Sequence, residues 1–357
     1  MIRGPRSVML GPMTAHNLPR RRRLRAGLVV LTVAAMAATL AACGGKDKSS
    51  SSGPDSQDSK GGTTLAAVWP LTGLALKGSA PSRPIIAVKI PNTPEAQPQS
   101  GLGEADMISE ELVEGGITRL AVFFDSKIPS LAGPVRSMRA SDIGIVRPLR
   151  ATIISSGAAP PTLRRLTRAK VPYFTGGPGY YRDSGRTAPY NLMVHLKELA
   201  RTLKAPKDAP ASYLQWGTDA DFAGTKAARS ISARFSAYRT SQFAYRGGTY
   251  VNTNSYAPAN DGFKADTVLV LRVREGDAGY LDPAGNPVPE TVLSGKGKVL
   301  VFHGGSVVQG TWQKKTRDSQ ITLTTKKGAE IKVPAGRVYT ELVPRDKDGG
   351  AVTWRKR

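Results

Sequence analysis

One cysteine, Cys43, occurs in the 357 residues, and it stands at the end of a basic and then apolar leader. Arg20, Arg21, Arg22, Arg23 and Arg25 form a positive region. Residues 26–42 are rich in Ala, Val and Leu, and the run closes on Leu40-Ala41-Ala42-Cys43-Gly44. Small residues at that point give the layout of a secretory signal cut before Cys43. The constraint on the fold is strict. With its one thiol at the new terminus, the body has no disulfide, no cysteine metal site and no thiol nucleophile. Only His195 and His303 remain beyond the leader, too few for a histidine zinc site. No metal and no cofactor is expected, and the body must hold itself together by packing and hydrogen bonds.

Residues 40–44 resemble the box of bacterial lipoproteins, which implies lipid on Cys43. The apolar run is short for the roughly 20 residues of a spanning helix. Two or more acyl chains hold a protein on a bilayer where one does not. Residues 1–14 add nothing to the leader, so Met13 is an alternative start. Arg21-Arg22-Arg23-Leu24 carries the spacing of twin-arginine export. Residues 44–64, rich in Ser, Gly, Asp and Lys, read as a flexible tether. The expected location is the extracytoplasmic face of the cell membrane.

The chain carries 51 Lys+Arg against 27 Asp+Glu, a net +24, and seven of those arginines lie before residue 43. The body therefore stays strongly basic and suits anionic partners such as phospholipid headgroups or wall polymers. No helix-turn-helix, zinc-finger or aromatic RNA-binding pattern accompanies the charge, so nucleic acid is not an expected partner.

The texture divides the body in two. Residues 85–90, 120–124, 151–156 and 171–174 read as strands. Residues 138–146, 162–170 and, most clearly, 191–203 read as helices. From residue 231, short strands alternate with glycine turns, the pattern of a small antiparallel sandwich or barrel. The expectation is an α+β protein: signal peptide 1–42, lipidated Cys43 and linker 43–64, a mixed α/β domain 65–210, and a smaller β-rich domain 211–357.

The stretch 97–139 carries the chemistry. Five carboxylates precede Gly115-Gly116, Arg119 follows, and Gly133-Pro134-Val135-Arg136-Ser137-Met138-Arg139 closes the run. As a helix, residues 105–114 would stack Asp106, Glu110 and Glu114 on one face. As a hairpin turning at Gly115-Gly116, residues 107–124 would face Leu112 to Arg119 and put Glu110, Glu114 and Arg119 on one side. The hairpin is preferred, because residues 117–124 are so clearly a strand. It spaces Glu110 and Glu114 about 13 Å apart, at about 3.4 Å per residue. A glycosidase pair needs about 5 to 9.5 Å. Arg136, Ser137 and Arg139 would occupy the first turn of a helix, where free N–H groups and guanidiniums bind anions. The alternative is structural: these arginines bridge to Glu110, Glu114 or Asp142.

Arg83-Pro84, residues 98–102, Ala105-Asp106, Glu110, Glu114 through Arg119 and Gly133 through Arg139 together resemble the YerB-type lipoprotein family. Residues 268–270, the Gly-Lys-Gly before Val299 and Gly310-Thr311-Trp312 resemble its C-terminal part. The resemblance implies an exported lipoprotein with two conserved parts and no settled activity. It departs at two points. A Pro-His-Asn-Leu element reads Pro189-Tyr190-Asn191-Leu192, and a Gly-Gly-Ser-Pro turn reads Gly157-Ala158-Ala159-Pro160. A histidine and a serine useful to a hydrolase are thus missing, which leaves carboxylates and arginines.

Elsewhere, His195 is expected within an amphipathic helix and His303 in a turn. Ser155 and Ser156 lack the Gly-x-Ser-x-Gly elbow of a nucleophile. Tyr173, Tyr180, Tyr181 and Arg182 either line a cleft or pack a glycine loop. The leading expectation is a membrane-tethered binding lipoprotein. Arg119, Arg136 and Arg139 would hold an anionic group, Glu110 and Glu114 would orient them, and Ser137 would donate. The partner would be a wall polymer or another envelope protein. The alternatives are an envelope hydrolase using Glu110 or Asp106 as acid or base, and a non-catalytic scaffold.

Overall fold

The computed structural model of the chain describes residues 67–356, apart from 205, 209 and 223. The signal peptide, Cys43 and the tether lie outside the described residues. The body forms one unit, Thr63–Arg357.

Ile86–Asn92 and Thr118–Phe124 are buried at every position. Near-continuous apolar runs of this kind form strands covered on both faces. They lie inside a mixed twelve-stranded sheet. From edge to edge it runs Thr322–Thr325, Ser306–Lys314, Gly295–His303, Thr267–Leu281, Val338–Pro344, Met107–Leu112, Thr118–Phe124, Ile86–Asn92, Thr152–Ile154 and Tyr173–Phe174. Pro287–Val292 and Lys226–Ala227 pair alongside. Val338–Pro344 runs parallel to both of its neighbours, Thr267–Leu281 and Met107–Leu112. The expected division at 210/211 does not interrupt this sheet. A strand from beyond it satisfies the backbone groups along the edge of Met107–Leu112, which would otherwise stand open.

One face of the large sheet packs against a five-stranded antiparallel sheet, ordered Lys264–Ala265, Thr249–Asn252, Thr240–Arg246, Ser230–Arg234, Ala351–Arg355. Val88, Ile108, Val122 and Val270 meet Ile231, Phe243, Tyr250 and Phe263 in one core between them. The opposite face carries Ala87, Met107, Phe123, Leu269 and Leu342 against Ile143, Ile145 and Leu166. Those last three come from the short helices Asp142–Val146 and Pro160–Arg168.

The protein is richer in strand than expected. Residues 191–203 form a strand, Leu192–Val194, paired with Tyr180–Arg182, and then a one-turn helix, Leu196–Ala200, that starts after His195. The helical spacing of leucines is met by two elements, and Leu196, Leu199 and Leu203 still reach the core. Residues 138–146 are helical only from Asp142 onward. None of the described helices is long and apolar enough to cross a membrane.

Candidate functional site

Met107–Leu112 and Thr118–Phe124 pair as a hairpin whose turn includes Glu114, Gly115 and Gly116. The turn is one residue longer than the two-residue expectation, so Glu111 stands opposite Arg119 and Glu110 opposite Leu120. A one-residue slip sends each side chain to the other face of the sheet. Glu110 therefore does not share a face with Arg119. Glu111, absent from the expected set, does.

On that face the cations and carboxylates pair among themselves. Lys89, fully buried, donates to Glu111 at 2.7 Å and to Asp142 at 2.6 Å. Asp142 also accepts the backbone N–H of Arg139 at 2.7 Å. Glu114 takes both arginines. Arg139 donates Nε to Oε2 at 2.7 Å and Nη2 to Oε1, and Arg119 Nη2 lies 3.5 Å from Oε1. Arg119 also donates to the carbonyl of Ser137 at 2.8 Å. The carboxyl groups diverge accordingly. Burial pushes Glu111 up to about 7, Lys89 pulls against that rise and Asp142 adds to it. Burial would raise Glu114 as well, but the hydrogen bond from Arg139 and the charges of Arg119 and Arg139 outweigh it and hold the group at about 2. Burial, with Arg139 and Arg136 nearby, brings Arg119 down to about 10.

No helix N-terminus forms at residues 135–139, because the backbone N–H groups are already used. Val135 donates to Leu192, Arg136 to Lys89 and Met138 to Gly157, at 2.6, 2.8 and 2.8 Å. The expected N-terminal anion site at Arg136, Ser137 and Arg139 is therefore replaced by an extended crossing strap. Arg136 and Ser137 stay half-buried. Arg136 lies over the ring of Tyr190, 5.1 Å from its centroid. The hydroxyl of Ser137 meets that of Ser156 at 3.3 Å.

On the other face Glu110 is fully buried and saturated. Asn92, Thr118, Arg239 and Ser241 donate to Oε1 at 2.8, 2.6, 3.1 and 2.9 Å. Ser241 and Tyr339 donate to Oε2, each at 2.9 Å. Glu341, paired in register with Glu110, is buried with neither oxygen bonded. Burial, then the charge of Glu110, lifts it well above the usual carboxylate range. Asp106 accepts from the backbone N–H groups of Asp125 and Ser126, at 2.6 and 2.9 Å, and from the Ser126 hydroxyl. The two carboxylates considered as an acid or base thus have their oxygens engaged by donors.

The structure therefore brings Glu114, Arg119 and Arg139 together, sets Arg136 and Ser137 at their rim and puts Glu110 across the sheet. Sequence reasoning missed Lys89, Glu111, Arg239 and Glu341. Lys89 left a signal, since a charge within Ile-Ala-Val-Lys-Ile must find a partner if the run is buried. Of the other residues considered, His195 stacks on Tyr181 with ring centroids 4.7 Å apart, and Tyr180 donates to the carbonyls of Ser155 and Phe174. Among the described residues no cluster of three or more His, Cys, Asp or Glu has the arrangement of a metal site.

A cleft of about 300 Å³ opens beside the hairpin turn, lined by Asn92, Thr93, Pro94, Glu95, Ile117, Tyr190, Tyr238, Arg239 and Tyr256. Tyr190 links it to Arg136.

The chain matches a family described as a protein of unknown function (DUF3048), its N-terminal domain at residues 71–209 and its C-terminal domain at residues 231–340. A protein of Bacillus subtilis (strain 168) named YerB and described as a lipoprotein is 24% identical over 303 residues, covering 80% of this chain and 88% of that one. The crystal structure of YerB protein from Bacillus subtilis has the same fold at a TM-score of 0.66. It is 22% identical and covers 80% of this chain and 99% of its own. With both conserved parts present and joined through one sheet, the chain belongs to the YerB-type lipoprotein family.

Proposed function

We propose that this protein is an exported, lipid-anchored lipoprotein whose body binds an anionic ligand of the cell envelope. Kinship to a protein described as a lipoprotein supports the anchor, as does the leader ending at Cys43. The charge balance behind the hairpin carries the binding reading. Lys89, Arg119, Arg136 and Arg139 share that region with Glu111, Glu114 and Asp142, and Glu111, raised to about 7 by burial, is only partly ionised at physiological pH. Arg136 forms no salt bridge among the described residues. It is the cation left for an outside anion, and the buried pairs hold its strap in place.

A second reading, a scaffold with no small ligand, draws on the mutual burial of Glu114, Arg119 and Arg139. Binding of polyglutamate and of polyphosphate at physiological salt separates the two. Arg136→Ala is expected to weaken binding about tenfold, a change of about 1.4 kcal/mol. Lys326→Ala, which removes one exposed charge elsewhere, should have little effect. Equal losses from both substitutions would reduce the effect to bulk charge and leave the scaffold.

A further inference from the structure

The cleft beside the hairpin turn combines three aromatic rings with a buried arginine that is only partly hydrogen-bonded. Arg239 is 6% exposed and gives Nε to Glu110 at 3.1 Å. Its Nη2 is buried without a partner; Arg239 lines the cleft, and its guanidinium lies 5.6 Å from the ring centroid of Tyr256. A buried donor left empty is costly, and a ligand oxygen that draws the guanidinium toward the cleft relieves that cost.

The rings are placed in advance. Tyr238 is 81% exposed, yet it stands on a tight turn, Phe235 N–H to Arg239 carbonyl at 2.9 Å. The Ser236 hydroxyl pins that turn to the carbonyl of Gly116 at 2.5 Å and accepts the Tyr238 N–H at 2.9 Å. Gly116 has φ +70°, and a Cβ there would meet the Tyr238 ring at 2.8 Å, so the glycine is what lets the ring lie over the hairpin turn. Tyr256 is tied through its carbonyl to the Gln99 N–H at 2.9 Å. Tyr190 carries Arg136 on its face.

We propose that this cleft binds an acidic saccharide. A saturated sugar ring would stack its C–H edges on a tyrosine face, whose π cloud is negative. The sugar carboxylate would lie against the Arg239 guanidinium and draw its buried Nη2 toward the cleft, and the sugar hydroxyls would meet Glu95. The lining alternates stacking faces with polar atoms, which suits a hydroxyl-rich ring better than a flat apolar ligand. A volume of about 300 Å³ is at the small end of ligand sites and holds one or two rings. Glu95 repels an acid placed beside it, so the carboxylate belongs at the Arg239 end. This inference deepens the anionic-ligand reading and rests on it for the sign of the bound charge.

The test is calorimetric titration of the detergent-solubilised full-length protein with three probes: an oligoglucuronate, a neutral cello-oligosaccharide of equal length, and inorganic phosphate. The acidic oligomer is expected to bind at least about tenfold more tightly than the neutral one. Tyr238→Ala and Tyr256→Ala should each weaken it about tenfold, roughly one stacking contact. Arg239→Gln should erase the preference for acid. If that variant melts early, the exposed Tyr238→Ala decides the matter. Phosphate and the acidic oligomer binding equally, with both tyrosine variants unchanged, would overturn the saccharide and leave the anionic site standing. No binding of any probe would overturn both.

Discussion

Lys89 shows how one side chain organises its surroundings. Its ammonium lies between Glu111 and Asp142, with the Lys89 and Glu111 side chains and Asp142 all without solvent exposure. Such a cluster adds little net stability over apolar packing, yet removing one member strands the others. Lys89→Met is expected to cost about 3–5 kcal/mol in urea unfolding, with partial recovery in the Lys89→Met/Glu111→Gln double variant. The pH dependence follows from Glu111. Its carboxyl, raised from 4.5 to about 7, keeps in the fold a proton that the unfolded chain releases, so stability falls as pH rises through that window. Without Lys89 the carboxyl rises further, and the melting temperature of Lys89→Met should drop more steeply between about pH 6 and pH 8. This residue was legible as an anomaly in an apolar run. Arg239 was not, because nothing local to residue 239 points to Glu110, 129 positions away.

At the scale of elements, the hairpin at residues 107–124 was readable from its glycines and its strand pattern. Its register was not, since one added turn residue exchanges the faces and no local preference distinguishes the two turn lengths. The segment 191–203 misled for a related reason. Leucines at helical spacing also serve a strand followed by a single turn when Tyr180–Arg182 is there to pair. Most decisive is Val338–Pro344, which bonds to Met107–Leu112 on one side and Thr267–Leu281 on the other. Thr340→Pro, within that parallel ladder, is expected to cost about 3 kcal/mol or more. Limited proteolysis should then find both halves losing protection together. Continued protection of residues 85–200 alone would show a front half that stands independently.

In the proposed reading, the whole molecule is a basic body tethered to the membrane by its N-terminal segment. Cys43→Ala should move it from the membrane fraction to the medium, measured by immunoblot of fractionated cells; unchanged retention would remove the anchor. The two family matches fall on either side of the expected boundary, yet the strands of the two parts form one continuous sheet, joined where Val338–Pro344 pairs with Met107–Leu112. Sequence texture reports where local composition changes and is silent about which distant segments pair. On the proposed export, that junction governs how the body can be made outside the cell. A slot between two strands stays vacant until the segment around residue 340 arrives, so folding of the middle waits on translocation of a late piece. In the meantime a lipid-anchored chain would hang from the membrane as an unfinished half-sheet, with its edges open to proteases and chaperones on the far side.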